Sequence, residues 1–337
     1  MKRVKLHLVK SGAFIDPTRF DVDKDGVNAS LLGKWMSCRE LARLHVNGWT
    51  SKRTSGGRIF GIIVHGVLDE IYSAIQSGEL ETVPSTKRVK KAIAKMEKAW
   101  RKSNPRASNE ALQMLEFQLG IAEAIMPIYF TFWHEDITKI DWVNLEHKFK
   151  VPLGPTHAIG RMDGQFIPTK GKKARWLFET KNKSRLGEQG ETNLVDVLPH
   201  ELQTNLYLNA MVAMTGQVPG GLVLNIIRRP NQRQKKSEGP KAFAERVAKD
   251  IKKRPEYYFI RLRMTVDKDD LRRMRLEHEA LTRDFVRWAK GKGEHYRNSG
   301  QCENKYGTCD MLPICARQDY TGFYQRPPRV RDVEDER

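Results

Sequence analysis

Cysteine is scarce, with four residues in a chain of 337. So few thiols, behind a basic start (MKRVKLHLVK) without the apolar core of a secretory signal, argue against a disulfide scaffold and for a cytoplasmic protein, bacterial or in the host of a phage. Acidic residues are also in short supply: 41 against 60 Lys and Arg, a formal net charge of +19. That excess favours a polyanionic partner, because each phosphate neutralised releases condensed counterions. Charge alone does not separate nucleic acid from an anionic membrane surface or an acidic protein. Long apolar runs are missing too; IFGIIVHGVL contains His65 and is too short to span a bilayer, so no membrane partner is expected. No G-x-x-x-x-G-K-[ST] loop occurs, which removes an ATP motor of that class. Internal repeats are absent. What is there is ordinary globular material, 39% hydrophobic and 30% charged.

Periodicity divides the chain. Residues 1–30 show none and read as a lead-in. Helical spacing runs from Leu31 to Asn47, and again over 60–75, where His65, Leu68, Tyr72 and Ile75 share a face. A basic helix is expected at 87–102 and an apolar one at 111–130. After Asp141 the pattern alternates, giving strands at 142–151, 157–167 and 174–182, separated by LGP and PTKGKK. A helix at 198–215, a strand at 221–227, a basic loop at 228–241, a last strand at 257–266 and a helix at 268–290 complete the pattern. The expected segments are a lead-in (1–30), an N-terminal helical region (31–135), a mixed-sheet core (136–290), a cysteine segment (291–325) and a frayed tail (326–337). The class is α/β with a helical elaboration.

Two carboxylates stand out. Asp163 lies in the glycine-bracketed GRMDG, and Glu179 ends the next strand in WLFETKNKS. If those strands are neighbours, both acids reach one edge and offer hard oxygen ligands to Mg²⁺ or Mn²⁺. Lys181, two residues on, shares the face of Glu179 because strand side chains alternate. An ammonium there orients a water or stabilises charge on a phosphoryl transition state. Alone, Glu-x-Lys is more often an exposed ion pair of little energetic weight.

GRMDG followed by WLFETKNKS resembles the core of the PD-(D/E)XK nucleases, in particular the RecB-like branch. That branch adds a histidine on an early helix and a Q-x-x-x-Y pair on a helix after the core. Here those positions are His65 in GIIVHGVLDE, and Gln203 with Tyr207 in HELQTNLYLNA. The resemblance implies a restriction-endonuclease-like mixed sheet flanked by helices, with His65, Asp163 and Glu179 as metal ligands and Lys181 as the catalytic cation. It places Gln203 and Tyr207 beside the site. Glu146 matches a further acidic position, and Asp69 and Glu70 are weaker candidates. The implied activity is a metal-dependent DNA exonuclease of recombination, repair or phage DNA processing, with a recombination partner or oligomerisation as further expectations.

Cys38 stands far from Cys302, Cys309 and Cys315, which form C-x6-C-x5-C. Four thiolates suit zinc or an iron–sulfur cluster. Zinc sites usually show two close C-x2–4-C pairs, absent here. One cysteine before the core and three after it resembles the iron–sulfur nucleases of the same branch, including the AddB-type and CRISPR-associated exonucleases. The implied ligands of a [4Fe–4S] cluster are all four cysteines, joining the N- and C-terminal segments. Finally, the basic helix offers Lys87, Arg88, Lys90 and Lys91 to a phosphate backbone and Trp100 to a base, an interface that would read no sequence.

Overall fold

The computed structural model describes residues 15–184, 190–304 and 307–328; residues 1–14 of the expected lead-in and 329–337 of the expected tail lie outside them. Helices α1 (Val22–Asp25), α2 (Ala29–Ser37) and α3 (Arg39–Val46) and strand β1 (Trp49–Ser51) precede α4 (Gly56–Gln76), α5 (Thr86–Ser103), α6 (Asn109–Phe132) and α7 (Glu135–Thr138). Strands β2 (Ile140–Leu153), β3 (Thr156–Pro168) and β4 (Trp176–Lys183) follow, then α8 (Gly190–Val197), α9 (Leu202–Thr215) and β5 (Gly221–Arg228). The chain continues through α10 (Pro240–Lys253), α11 (Pro255–Tyr258), β6 (Phe259–Thr265) and α12 (Lys268–Ala289). It closes with β7 (Glu303–Asn304), β8 (Gly307–Thr308), α13 (Leu312–Arg317) and β9 (Phe323–Gln325).

Two compact units emerge. One comprises 54–148 and 161–271; the other gathers 1–53, 149–160 and 272–337. A five-stranded sheet has the order β2-β3-β4-β5-β6. Strand β4 runs antiparallel to β3 and parallel to β5, and β6 is antiparallel to β5. The mixed α/β class is therefore as expected.

In the larger unit, alternation along β4 decides the layout. Trp176 and Phe178 join Phe166 and Val223 in one core with the buried faces of α4, α5, α6 and α10. Leu177, Glu179 and Lys181 consequently face the other way. Serines 55, 85 and 108 cap α4, α5 and α6 by accepting the N–H of the residue three positions on. Helices α4 and α5 approach closely at Gly66, where any Cβ would stand 1.9 Å from the Met96 sulfur. A larger residue there would require the Met96 side chain to move aside.

Beneath the sheet a buried polar network ties helices to strands. Arg261 donates to both carboxylate oxygens of Asp136 at 2.6 Å. Tyr72 donates to the same carboxylate at 2.7 Å, and Tyr129 accepts from Arg261 at 3.0 Å. The guanidinium also lies 4.0 Å from the centroid of Trp133.

In the smaller unit Phe20, Trp35, Phe285 and Trp288 pack edge-on or tilted, with centroids 5.5 to 6.5 Å apart. Val27 bridges to Ala158, so part of the expected lead-in is built into the core. Short anchoring segments with one or two apolar residues leave no periodic trace. The expected helix from Leu31 to Asn47 breaks at Cys38, whose extended backbone (φ −163°) ends α2 and starts α3. Helix α10, mostly in a stretch not assigned from sequence, begins at Pro240 within the expected basic loop of 228–241, and α4 starts at Gly56, earlier than its apolar run. Helix α4 is the one described helix long and apolar enough to cross a membrane by length and composition, and half of that stretch is buried. Strand β6 is not the last strand, since β7, β8 and β9 follow.

Replacing Asp136 by alanine would leave Arg261 buried and unpaired, so denaturant unfolding should show a loss of about 3–5 kcal/mol. An Asp136→Leu, Arg261→Met double variant should recover much of that; equal stability of Asp136→Ala and wild type would contradict the network's role.

Candidate active site

Asp163 sits on β3 one residue from Gly164, which pairs with Phe178 of β4. That register puts its Oδ2 2.7 Å from the backbone N–H of Thr180, which donates to it. Its other oxygen, Oδ1, lies 3.4 Å from Nδ1 of His65, which α4 brings up from the helical layer. The strands are neighbours, as the sequence argument required.

Glu179 is 2% exposed. Its Oε1 accepts from Nζ of Lys181 and from Nε2 of Gln203, both at 2.8 Å. Lys181 also donates to Oε1 of Gln203 at 2.6 Å, and Gln203 Nε2 donates to the Tyr207 hydroxyl at 3.1 Å. Helix α9 thus meets β4 through the very pair that the one-turn spacing puts on a single helix face. The expected helix at 198–215 begins instead as a 3-10 turn, Leu198–His200, and α9 starts after Glu201, whose side chain caps it.

Electrostatics sort the groups. Burial, with Asp163 adding repulsion, pushes the Glu179 carboxyl up to about 7. Burial works against charge on Lys181, but Glu179 outweighs it and raises the ammonium's pKa. Lys181 is therefore a donor at neutral pH, not a base. For His65 burial is likewise opposed, by the hydrogen bond and charge of Asp163, and the balance raises its pKa. Burial also raises Glu146 and Asp69. Tyr207 is pushed up to about 12, chiefly by burial, and stays a neutral hydroxyl.

His65, Glu146 and Asp163 offer ligand atoms that all lie within 4.8 Å of one another. Glu179 stands just outside this group, yet its Oε2 is buried without a hydrogen-bond partner among the described residues. A buried orphan carboxylate oxygen beside three convergent ligands is the donor set a hard divalent cation takes. Glu146 is more prominent than its sequence position suggested: its φ of +46° is a strained conformation for a side chain of that size. Arg161 braces it at 2.7 Å. That strain leaves no mark in sequence. Asp69 lines the same cavity as His65, Glu146 and Asp163, whereas Glu70 is ion-paired with Lys95 and does not line it.

A roomier cavity of about 410 Å³ in the same unit is lined by Trp133, Phe166, Val223, Arg261 and Arg263. Its buried acid, Asp136, is already committed to Arg261. The convergent ligand atoms of His65, Glu146 and Asp163 line the smaller cavity instead.

Of the expected nucleic-acid contacts, Trp100 is corrected: at 6% exposed it belongs to the core, on the buried side of α5 with Val89 and Ile93. Lys87, Lys90 and Lys91 are exposed, while Arg88 pairs with Glu79 and Lys90 with Glu123.

The four cysteines line one cavity of the smaller unit, with Leu41, Leu44, Met311 and Leu312. Asn298 donates its N–H to the sulfur of Cys38 at 3.4 Å, and Cys309 donates its N–H to the carbonyl of Cys302 at 2.9 Å. Burial raises the thiols of Cys309 and Cys315. Beside them Glu40, 3% exposed, is held near 2 against burial by Arg43 and His295. Trp288 donates to Nδ1 of His295 at 3.3 Å, leaving Nε2–H to donate to Glu40 at 3.0 Å.

The sequence matches the PD-(D/E)XK nuclease superfamily over residues 34–316, and the chain belongs to that superfamily. No curated protein matches it. Among solved structures, a candidate exonuclease from Eubacterium rectale is similar at 13% identity over 93% of this chain and 94% of the other, with a TM-score of 0.49.

With Glu179 titrating at about 7 in the metal-free protein, a cation must displace its proton at lower pH. Mn²⁺ affinity measured by calorimetry should therefore rise about tenfold from pH 6 to pH 8, with protons released on binding at pH 6. His65, also raised, acts in the same direction. An affinity flat across that range would contradict the assignment.

Proposed function

We propose that the chain is a metal-dependent DNA exonuclease of the RecB-like branch, largely indifferent to sequence and acting in a cytoplasmic compartment on recombination, repair or phage DNA. The observation that carries this reading is the Lys181 ammonium 2.8 Å from the buried Glu179 carboxylate, with Asp163 and His65 alongside. Asp163, Glu179 and His65, with Glu146 beside them, would hold Mg²⁺ or Mn²⁺, which supplies Lewis acidity to the scissile phosphate and an acidified water. Lys181, a permanent donor, orients the attacking water and stabilises charge gathering on the phosphoryl oxygens. Gln203 fixes that ammonium by accepting from it while donating to Glu179, so the cation cannot swing away. Tyr207 keeps Gln203 in that pose. The exposed Lys87, Lys90 and Lys91 add a phosphate-attracting face.

We also propose a [4Fe–4S] cluster on Cys38, Cys302, Cys309 and Cys315. Their shared cavity supports it. A tetrahedral zinc site, with Zn–S near 2.3 Å, sets its sulfurs roughly 3.8 Å apart. A cubane spaces its thiolates more widely. Its role would be structural, closing a very long loop.

End-labelled DNA incubated with Mn²⁺ should be degraded by the wild type and at least about 100-fold more slowly by Asp163→Ala or Lys181→Ala. Equal nicking by Asp163→Ala would sink the site. Anaerobically purified protein should carry iron and acid-labile sulfide and absorb in the visible, and Cys309→Ser should lose both. A colourless, zinc-bearing preparation would overturn the cluster.

A further inference from the structure

The larger unit presents a second convergence of donors at the start of α4, nine residues before His65 on the same 21-residue helix. The first backbone N–H groups of a helix have no intrahelical acceptor. Ser55 accepts that of Arg58, which leaves those of Gly56 and Gly57. Both glycines remove the side chain that would keep an anion from the backbone.

Two polar side chains from other elements meet at this point. Gln118 of α6 is 2% exposed, and its Nε2 would stand 2.9 Å from a Cβ on Gly56. Its Oε1 is buried without a partner, and the side chain makes no hydrogen bond among the described residues. Burying an amide uncommitted is costly unless it is kept for something. Arg229, just past the end of β5, would set Nη1 3.2 Å from the same Cβ. Its backbone N–H donates to the carbonyl of Lys183 at 2.9 Å, but its guanidinium has no hydrogen bond or ion pair among the described residues. A half-buried, unpaired guanidinium, an uncommitted amide and two free backbone N–H groups make an anion cradle rather than a packing contact.

Position decides which anion. Strands β4 and β5 are parallel, so Arg229 emerges at the edge to which β4 delivers Glu179 and Lys181. Asn182 of β4 lies between, its Nδ2 3.7 Å from a Cβ on Gly61, one turn and a little further along α4. At roughly 1.5 Å rise per residue, Gly56 is about 13–14 Å along the helix from His65. A nucleic-acid strand seated with one phosphate at the acid cluster would present another at that distance, a few nucleotides away.

We propose that Gly56, Gly57, Gln118 and Arg229 form a phosphate-binding subsite that grips the nucleic-acid backbone a few nucleotides from the scissile bond. The proposal rests on the nuclease reading for its ligand, and its test is independent of cleavage. In an Asp163→Ala background with EDTA present, anisotropy of fluorescein-labelled single-stranded DNA would be followed across a salt series. Arg229→Gln should weaken binding about five- to tenfold and flatten the log–log salt slope by about 0.7, the loss of one phosphate contact. Gln118→Leu, which keeps the volume in the core, should weaken binding in the same direction with an unchanged thermal melt. Oligonucleotides with and without a 5′- or 3′-phosphate separate the sources. Weakening on all of them identifies an internal phosphate, and weakening only on a phosphorylated end identifies a terminal one; both support the subsite. Unchanged affinity and slope in both variants overturn it. A protein that passes this test but does not cut DNA with Mn²⁺ would lose the nuclease reading and keep the subsite.

Discussion

A carboxylate 2% exposed, held by one ammonium and one amide, is the constraint around which the larger unit is arranged. Burying Glu179 as an isolated anion would be prohibitive, and burying it as a plain ion pair would gain little. The fold resolves this by making the acid the shared acceptor of Lys181 and Gln203 and leaving its second oxygen open. The buried alternation of β4 serves that end. Trp176 and Phe178 lock one face of the strand into the helical core, so Glu179 and Lys181 have one direction left in which to point. Helix α9 then has to arrive with Gln203 and Tyr207 on its inward face.

The same logic explains why the candidate metal-ligand set is spread over four elements. His65 comes from α4, Glu146 from β2, Asp163 from β3 and Glu179 from β4. Each element is fixed by its own apolar packing, and each contributes a polar side chain to the cavity. Glu146 has a positive φ, and its carboxylate is ion-paired with Arg161. Strain of about 1–3 kcal/mol for such a residue is affordable only where the surrounding packing over-determines the position.

Much of this was legible in the sequence because residue types and strand alternation carry it. Asp163, Glu179 and Lys181 needed only that two expected strands be neighbours, and Gln203 and Tyr207 only that a helix repeat in 3.6 residues. What stayed hidden depends on coordinates with no local signature. The backbone strain at Glu146 is one case. Trp100 is another: in a helix dense with lysine it looked like a base-stacking ring, but Val89, Ile93 and Trp100 form the apolar stripe that anchors α5, and the lysines are what is left over. Val22 and Val27 were unreadable for the opposite reason, since single apolar anchors make no period. Gly56 on α4, Gln118 on α6 and Arg229 just past β5 are far apart in the chain, and only tertiary packing brings them together.

The net charge of +19 also looks different once its distribution is known. The acid cluster is locally anionic: Asp69, Glu146, Asp163 and Glu179 face His65, Lys181 and Arg161. Burial raises Asp69, Glu146 and Glu179 together, a direction that reports a shortage of compensating cation within the cavity. Part of the Lys and Arg surplus lies on exposed faces, such as Lys87, Lys90 and Lys91 of α5. This separation matters physically. A polyanion is drawn to the surface by long-range, salt-sensitive attraction, whereas a divalent cation is drawn into the cavity by short-range ligation. Had the basic residues crowded the acids, they would have neutralised the ligands; had the acids spread over the surface, they would have repelled the strand. On the proposed function, keeping the two apart would let one chain attract both a metal and its phosphate.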